Sequence, residues 1–415
     1  MTSEYLFAGI DHMASPIKSI LFDFMSPEEI RKHAVVKVTK DETNENNGRP
    51  VVGGLIDTRM GTIDPEIPCA TCGLSSEFCP GHPGYVQLAS RIYNPKAVNT
   101  IKLFLKCFCF HCSSLLEGEP KWLLAIKNSK LRISKLSNRF GSKVLECPKC
   151  SAIQPHYRKQ QNNQIEYIAK IDGEDITASL LPDVAHEILV KISDQDLKIV
   201  GFMNEYGQVK RPENMILTYL PIPPPVSRPT SRTNNRRSDD DITLILGKII
   251  SFNNDMAIQL DDIDEKTKEQ LIEGLSYAIF TLYDAEKAKK SEKGRVSIKF
   301  ILNTGRPVRS VHDRISHKKG RIRQNLMGKR VDKSARDVIG PDPNIDVDEV
   351  GIPIEIAKEV TILRVVTKLN IEKMYRYLYN GPDKHPGCKQ IHRGKRNYSL
   401  EYSDRKNIDL KPGDR

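Results

Sequence analysis

Helical spacing of apolar residues is clearest past the middle of this chain. In EKTKEQLIEGLSYAIFTLYDAEKAKK, Leu271, Leu275, Ile279 and Leu282 recur at intervals of four, four and three, laying one apolar stripe along one face. The preceding ITLILGKIISFNNDMAIQL is a second helical segment with Asp241 as its cap. The short DDIDEK between the two predicts an antiparallel hairpin. Such a stripe is more often core packing than a partner site, and both readings stay open.

Elsewhere the pattern changes. Ser26 is an N-cap candidate, with Pro27 at the first helical position and Glu28 and Glu29 where the helix dipole favours anions. VVKVTK after it has strand composition. SLLPDVAHEILVKISDQDLKIVGF carries a helical pattern, and IPIEIAKEVTILRVVTKLNIEKMYRYLYN reads as strand-like apolar residues followed by a helix. LTYLPIPPPVSRPTSRTNNRRSDDD is an exposed extended loop, because proline removes backbone donors and rejects helix. The tail YSLEYSDRKNIDLKPGDR alternates weakly and shows no closing element. The mixture predicts an α+β, multi-segment fold.

At 415 residues, with 39% hydrophobic and 28% charged side chains, the chain is long enough for roughly two or three domains of about 150 residues each. No apolar run approaches the ~18 residues of a membrane span, and MTSEYLFAGIDH lacks a signal-peptide pattern, so an intracellular, non-membrane protein is expected.

Placement of charge alters that picture more than its sum. Of the formal +11, residues 305–336 carry eleven Lys/Arg against Asp313 and Asp332, a local +9 that leaves about +2 for everything else. A concentrated surplus is the footprint of a polyanion partner, although a solvated loop has the same composition. Within it, Lys318, Lys319, Arg321, Arg323, Lys329, Arg330 and Arg336 are candidates to grip phosphates, joined by Arg306 at its start and by Asn325 as a sugar or phosphate hydrogen-bonder. Few aromatics interrupt the run, which argues against a single-strand stacking platform.

Eight of the nine cysteines lie between Cys69 and Cys150. Cys69, Cys72, Cys79 and His82 form C-x2-C-x6-C-x2-H, in which two short knuckles deliver four ligands to one ion; a redox CxxC is the alternative. Cys109, Cys112, Cys147 and Cys150 form a second set, two CxxC pairs separated by a loop long for a zinc ribbon. Closed four-ligand shells would make both Zn²⁺ sites structural. His111 is expected outside the shell, and Cys107 and Cys388 are spare thiols.

In these residues the chain resembles the N-terminal part of the largest subunit of multisubunit DNA-directed RNA polymerase, nearest the RNA polymerase II type. The resemblance runs collinearly through FDFMSPEEIRKHAVVKV, GGLIDTRMGTID, CATCGLSSEFCPGHPG, KISDQDLKIVGF and RPENMILTYLPIPPPVSRP. It continues through GRPVRSVHDRISHKKGRIRQNLMGKRVDKSARDVIGPDPN and DEVGIP. It implies a zinc-stabilised clamp core and head with a lid-like loop over residues 1–240 and a clamp coiled coil over 241–290. A rudder-like loop and basic switch would follow over 291–345, then the beginning of the active-site domain over 346–415. Implied partners are template DNA, the RNA–DNA hybrid, the second-largest and other polymerase subunits, and an initiation or elongation factor on the helical hairpin.

Two departures stand out. Relatives commonly carry GHxGH where this chain has GHPGY, so Tyr85 occupies the second His position; the first His is the family ligand. The Mg²⁺-holding NADFDGD signature of the complete enzyme does not occur, and the DVDE run at 346–349 reads as structural. On this reading the chain ends upstream of the catalytic loop, is a fragment, split subunit or exon product, and does not polymerise RNA alone. A stand-alone zinc-stabilised nucleic-acid-binding transcription regulator and a purely structural interaction protein are the rival readings; co-purification with a second-largest subunit separates them.

Overall fold

Ser26 opens the first helix among the described residues as its sequence predicts. In α1 (Pro27–His33) the Ser26 hydroxyl accepts the Glu29 N–H at 3.2 Å, and Glu29 accepts the Ser26 N–H at 2.7 Å, a reciprocal capping box. The computed structural model describes residues 23–415 apart from 46–47, 118–120, 127, 129–130, 141–145, 161–162, 172–173, 205, 234–235, 260–264, 292–306, 317, 333 and 395. It divides into two units, residues 1–320 and 321–415.

In the first unit, β1 (Val36–Lys37) runs parallel to β2 (Gly84–Tyr93). α2 (Val98–Cys107), α3 (Lys121–Leu124) and α4 (Arg132–Phe140) follow, then an antiparallel sheet of β3 (His156–Lys159), β4 (Ile165–Ile171) and β5 (Glu174–Leu180). The single helical pattern expected after it is two helices, α5 (Pro182–Val190) and α6 (Asp194–Val200). Ser193 caps the second by accepting the Asp196 N–H at 3.2 Å, and Gly201 ends it in left-handed conformation. β6 (Ile216–Ile222) returns antiparallel to β2, and the Pro-rich segment carries a small hairpin of β7 (Ser231–Thr233) and β8 (Arg236–Ser238).

The two long helices are α7 (Asp241–Gln259) and α8 (Glu265–Tyr283), succeeded by α9 (Ala285–Ser291) and α10 (Val311–Ile315). Gly274 of α8 lies against Phe252 of α7, the register of helices that run back on one another. Their apolar stripe is core. Leu275, Ile279 and Leu282 are buried with Ile245, Leu246 and Ile249 of α7 against Val86, Ile92 and Leu220 of the sheet. Asn253 binds that helix pair to the irregular middle of β2, accepting the Ala89 N–H at 2.8 Å and donating to the Gln87 carbonyl at 3.1 Å. The cap of α7 is Asp240, not the expected Asp241: Asp240 accepts the Ile242 N–H at 2.9 Å, and Asp241 accepts the Arg309 N–H at 3.0 Å. A second core gathers Phe104, Leu136, Ile165, Leu189 and Leu197.

The Pro-rich loop is anchored, not free. Arg228 is 1% exposed, and its guanidinium donates to the Pro223 carbonyl and the Thr243 hydroxyl, both at 3.0 Å, and to the Leu55 carbonyl. Burial outweighs the nearby Asp240 and Asp239 and lowers its pKa to about 10.

In the second unit, the strand-like residues after Pro353 instead form a short helix, α11 (Ile354–Glu359), and α12 (Ile371–Asn380) follows. β9 (Gln390–Arg393) and β10 (Arg396–Ser399) make a hairpin, and Val366, Leu378, Ile391, Leu400 and Leu410 form a small core. The tail is clipped in place. Arg393 donates to Asp414 at 2.6 and 2.9 Å, while the backbones of His392 and Arg415 exchange hydrogen bonds at 2.7 and 3.0 Å.

Candidate metal centres and basic segment

Each predicted cysteine quartet comes together. The ligand atoms of Cys69, Cys72, Cys79 and His82 lie within 4.8 Å of one another, as do those of Cys109, Cys112, Cys147 and Cys150. A tetrahedral ion about 2.3 Å from each sulfur needs sulfurs about 3.8 Å apart. The observed separations are 3.6 Å for Cys72–Cys79, Cys109–Cys150 and Cys112–Cys147. Both clusters can hold a metal ion.

In the first cluster, Gly73 at positive φ closes one knuckle, donating to the Cys69 carbonyl at 2.8 Å, while Cys79 donates to Ser75 at 2.9 Å and His82 to Met60 at 2.9 Å. Sequence reasoning missed the bracing by the preceding segment. The buried Asp57 accepts the N–H groups of Gly53 (2.6 Å) and Arg59 (2.9 Å) and pairs with the Arg59 guanidinium at 2.7 Å. Burial pushes its carboxyl up, but these donors prevail and hold it below the usual range. The Ala70 N–H then docks on Thr58 at 3.1 Å. The turn residues of DTR were the available signal. Tyr85, in the second His position, lies in β2 opposite Pro221 of β6 and meets Tyr219 edge-on at 5.4 Å, outside the cluster.

Gly81 sits between the cluster and the Pro-rich loop at φ +82°, where a Cβ would fall 2.5 Å from Val226 and 2.7 Å from Pro224. Gly81→Ala therefore combines backbone strain with overpacking and should cost about 2–4 kcal/mol, read as a shifted denaturant midpoint. An unchanged midpoint would mean that the loop yields freely.

The second cluster is two alike knuckles. Cys109 N–H bonds the Ser114 carbonyl at 2.9 Å, Cys147 N–H bonds Ala152 at 3.0 Å, and Ser113 and Ser151 both adopt positive φ. The loop between the pairs, long for a ribbon, is long because it carries α3 and α4, whose Leu123, Ile133 and Leu136 are buried. His111 lies outside the ligand group, giving only its backbone N–H to Cys109 at 3.3 Å. Cys107 and Cys388 lie outside both groups, and burial pushes the Cys107 thiol up to about 12.

Crowded thiols oppose one another's ionisation. Burial pushes Cys147 up, yet the Cys150 and Lys149 N–H groups prevail and bring it down to about 6. Cys150, though its thiolate accepts the Ala152 N–H, is driven up to about 12 by its desolvation and the neighbouring thiols. A bound cation removes that conflict.

The basic segment is laid out differently. Lys318 and Lys319 are exposed just before Gly320, whose Cβ would strike the Ser316 carbonyl at 2.0 Å. Arg321, Arg323, Asn325, Lys329, Arg330 and Arg336 are all exposed; Arg321 donates to Asn325 at 3.1 Å, and Met327 N–H bonds Ile322 at 2.9 Å in a wide helical turn. Arg306 lies outside the described residues. Not every cation of the run faces outward, because Arg314 pairs with Asp240 at 2.6 Å. The DVDE run is an exposed local turn, with Glu349 N–H donating to Asp346 at 3.1 Å.

No helix among the described residues is long and apolar enough to cross a membrane. The family model for RNA polymerase Rpb1, domain 1, matches residues 14–326, and that for Rpb1, domain 2, matches residues 328–414. DNA-directed RNA polymerase subunit Rpo1N of Methanocaldococcus jannaschii is 36% identical over 389 residues, 90% of this chain and 28% of its own length. Rpo1N of Methanothermobacter thermautotrophicus (strain Delta H) is 35% identical over 410 residues, 96% of this chain and 45% of its own. That of Thermococcus celer is 34% identical over 387 residues, 90% and 42%. The chain thus spans less than half the length of these relatives. With two consecutive family models covering almost all of it, the chain belongs to the family of the largest subunit of RNA polymerase and corresponds to its N-terminal part.

Proposed function

We propose that this chain is the clamp portion of a DNA-directed RNA polymerase and holds template DNA and the RNA–DNA hybrid without reading sequence. The observation that carries this is the exposure of Lys318, Lys319, Arg321, Arg323, Lys329, Arg330 and Arg336. A polymerase must grip any sequence, so it needs charge and bidentate guanidinium bonds to phosphate in place of base contacts. Residues 1–240 are then clamp core and head with a lid-like loop, and 241–290 are the clamp coiled coil, a docking place for an initiation or elongation factor. Residues 291–345 are the rudder-like loop and switch, and 346–415 begin the active-site domain. Zn²⁺ at both clusters suits their sulfur-rich, closed shells, in which no position is left for substrate. Mg²⁺ and its ligands are assigned to the remainder of the enzyme.

Work within a larger assembly accounts for a second feature. In 321–369, Leu326, Met327, Val338, Ile339 and Leu369 are all exposed, Leu369 by 99%. Side chains of that kind are buried where other polymerase subunits or further parts of the subunit cover them.

Replacing Arg330 and Arg336 together by alanine in the assembled polymerase should weaken template binding equally across sequences. The log K against log salt slope should flatten by about one per lost phosphate contact. Equal slopes for variant and wild type would remove the phosphate assignment.

A further inference from the structure

The second metal centre draws its two knuckles from Cys109–Cys112 and Cys147–Cys150, with two helices between them. One side chain spans both. The Gln154 carboxamide donates from Nε2 to the Cys109 sulfur at 3.3 Å and to the Ala152 carbonyl at 2.8 Å, and its Oε1 accepts the Phe110 N–H at 2.8 Å. Its orientation is settled by its neighbours, since the Phe110 N–H can only donate and the Ala152 carbonyl can only accept. Ala152 belongs to the second knuckle, Phe110 and Cys109 to the first. Gln154 thus uses its oxygen and both amide hydrogens to join them.

The donation to Cys109 matters because of charge. A dication among three thiolates and an imidazole leaves one net negative charge; among four thiolates it leaves two. Hydrogen bonds to the sulfurs of the second centre offset that excess. The first knuckle supplies its own hydroxyl, Ser114 Oγ, 2.8 Å from Cys112 and 3.8 Å from Cys147. The equivalent position in the second knuckle is Ala152, which has none.

We propose that Gln154 is a positioning residue of the four-cysteine centre, which braces its two knuckles and slows metal loss by donating to the Cys109 thiolate. This rests on the metal reading of that cluster and extends it to a residue outside the ligand set.

The test uses the full 415-residue chain loaded with zinc, in wild-type form and as Gln154→Leu and Gln154→Glu. Zinc per chain and the rate of transfer to a chromogenic chelator are measured for each. Leucine removes every bond; glutamate retains an acceptor for the Phe110 N–H but sets a carboxylate against the thiolate. Both variants should release one of two zinc ions about tenfold faster or more, with the other unchanged. After cobalt substitution, the fast ion should carry the absorption of four thiolates. Wild-type release from Gln154→Glu would overturn the thiolate donation, and faster loss of both ions would reduce Gln154 to a general folding role. A wild-type chain holding a single zinc would sink the metal reading instead.

Discussion

A chain carrying Cys147→Ser should purify with one metal ion fewer and lose the ordered fold of the knuckles at 109–114 and 147–152. Cys147 is 2% exposed and is the thiol whose surroundings most favour the anion. A serine hydroxyl in its place does not ionise near neutral pH and is a poor ligand for a soft shell. Structural zinc supplies about 10–16 kcal/mol of apparent binding energy in small domains, and in such a site binding energy is folding energy. Backbone pairing within the knuckles is sparse. Two isolated bridges, Phe108 with Leu115 and Glu146 with Ile153, are the only ladders they make among the described residues. Metal analysis should therefore fall from two equivalents to one, and amide exchange should accelerate across both knuckles. The first cluster and the α7–α8 hairpin should keep wild-type protection. Two equivalents bound to the variant would show that Cys147 is not a ligand.

Arg228→Ala should be the most damaging single change outside the metal clusters, at about 3–5 kcal/mol. The guanidinium ties three separate parts of the first unit: the Pro-rich loop at Pro223, helix α7 at Thr243, and the segment leading to the first metal cluster at Leu55. Its removal leaves the buried Leu55 carbonyl and Thr243 hydroxyl and the half-buried Pro223 carbonyl without their donor and opens a cavity in the interior. Arg228→Lys should recover only part of the loss, since one ammonium on a flexible stem cannot reproduce a planar fork bonded in three directions. Urea unfolding measures both variants. If alanine shifts the midpoint no more than an ordinary surface substitution, Arg228 is not the anchor described.

Much of the site was legible in the chain. A CxxC is a local instruction, because two thiols on one tight turn point the same way whatever surrounds them. The completed quartets followed from spacing and composition. The capping box at Ser26 and the apolar stripe of α8 were equally readable, being short-range in cause. The nearby misses have short-range causes too. One helical pattern became α5 and α6 because Ser193 competes for a backbone N–H, and the cap of α7 falls one residue earlier than expected because Asp240 takes the Ile242 N–H.

What spacing could not reveal depends on residues far apart in the chain. Arg228 stands among prolines and serines and reads as one more loop cation; burial beneath Leu55 and Thr243 makes it an anchor. Gln154 looks like a polar residue after a knuckle until folding brings Phe110 beside it. Arg314 counts toward the basic run by composition, yet Asp240 neutralises it. By itself the sequence determined the candidate ligand sets, the helix-forming stripes and the clustering of positive charge, all of them local properties of type and interval. Only the tertiary structure decided which cations face solvent, which polar groups brace the candidate metal centres and which stripe becomes core. Those outcomes depend on burial and on partners brought together from distant parts of the chain.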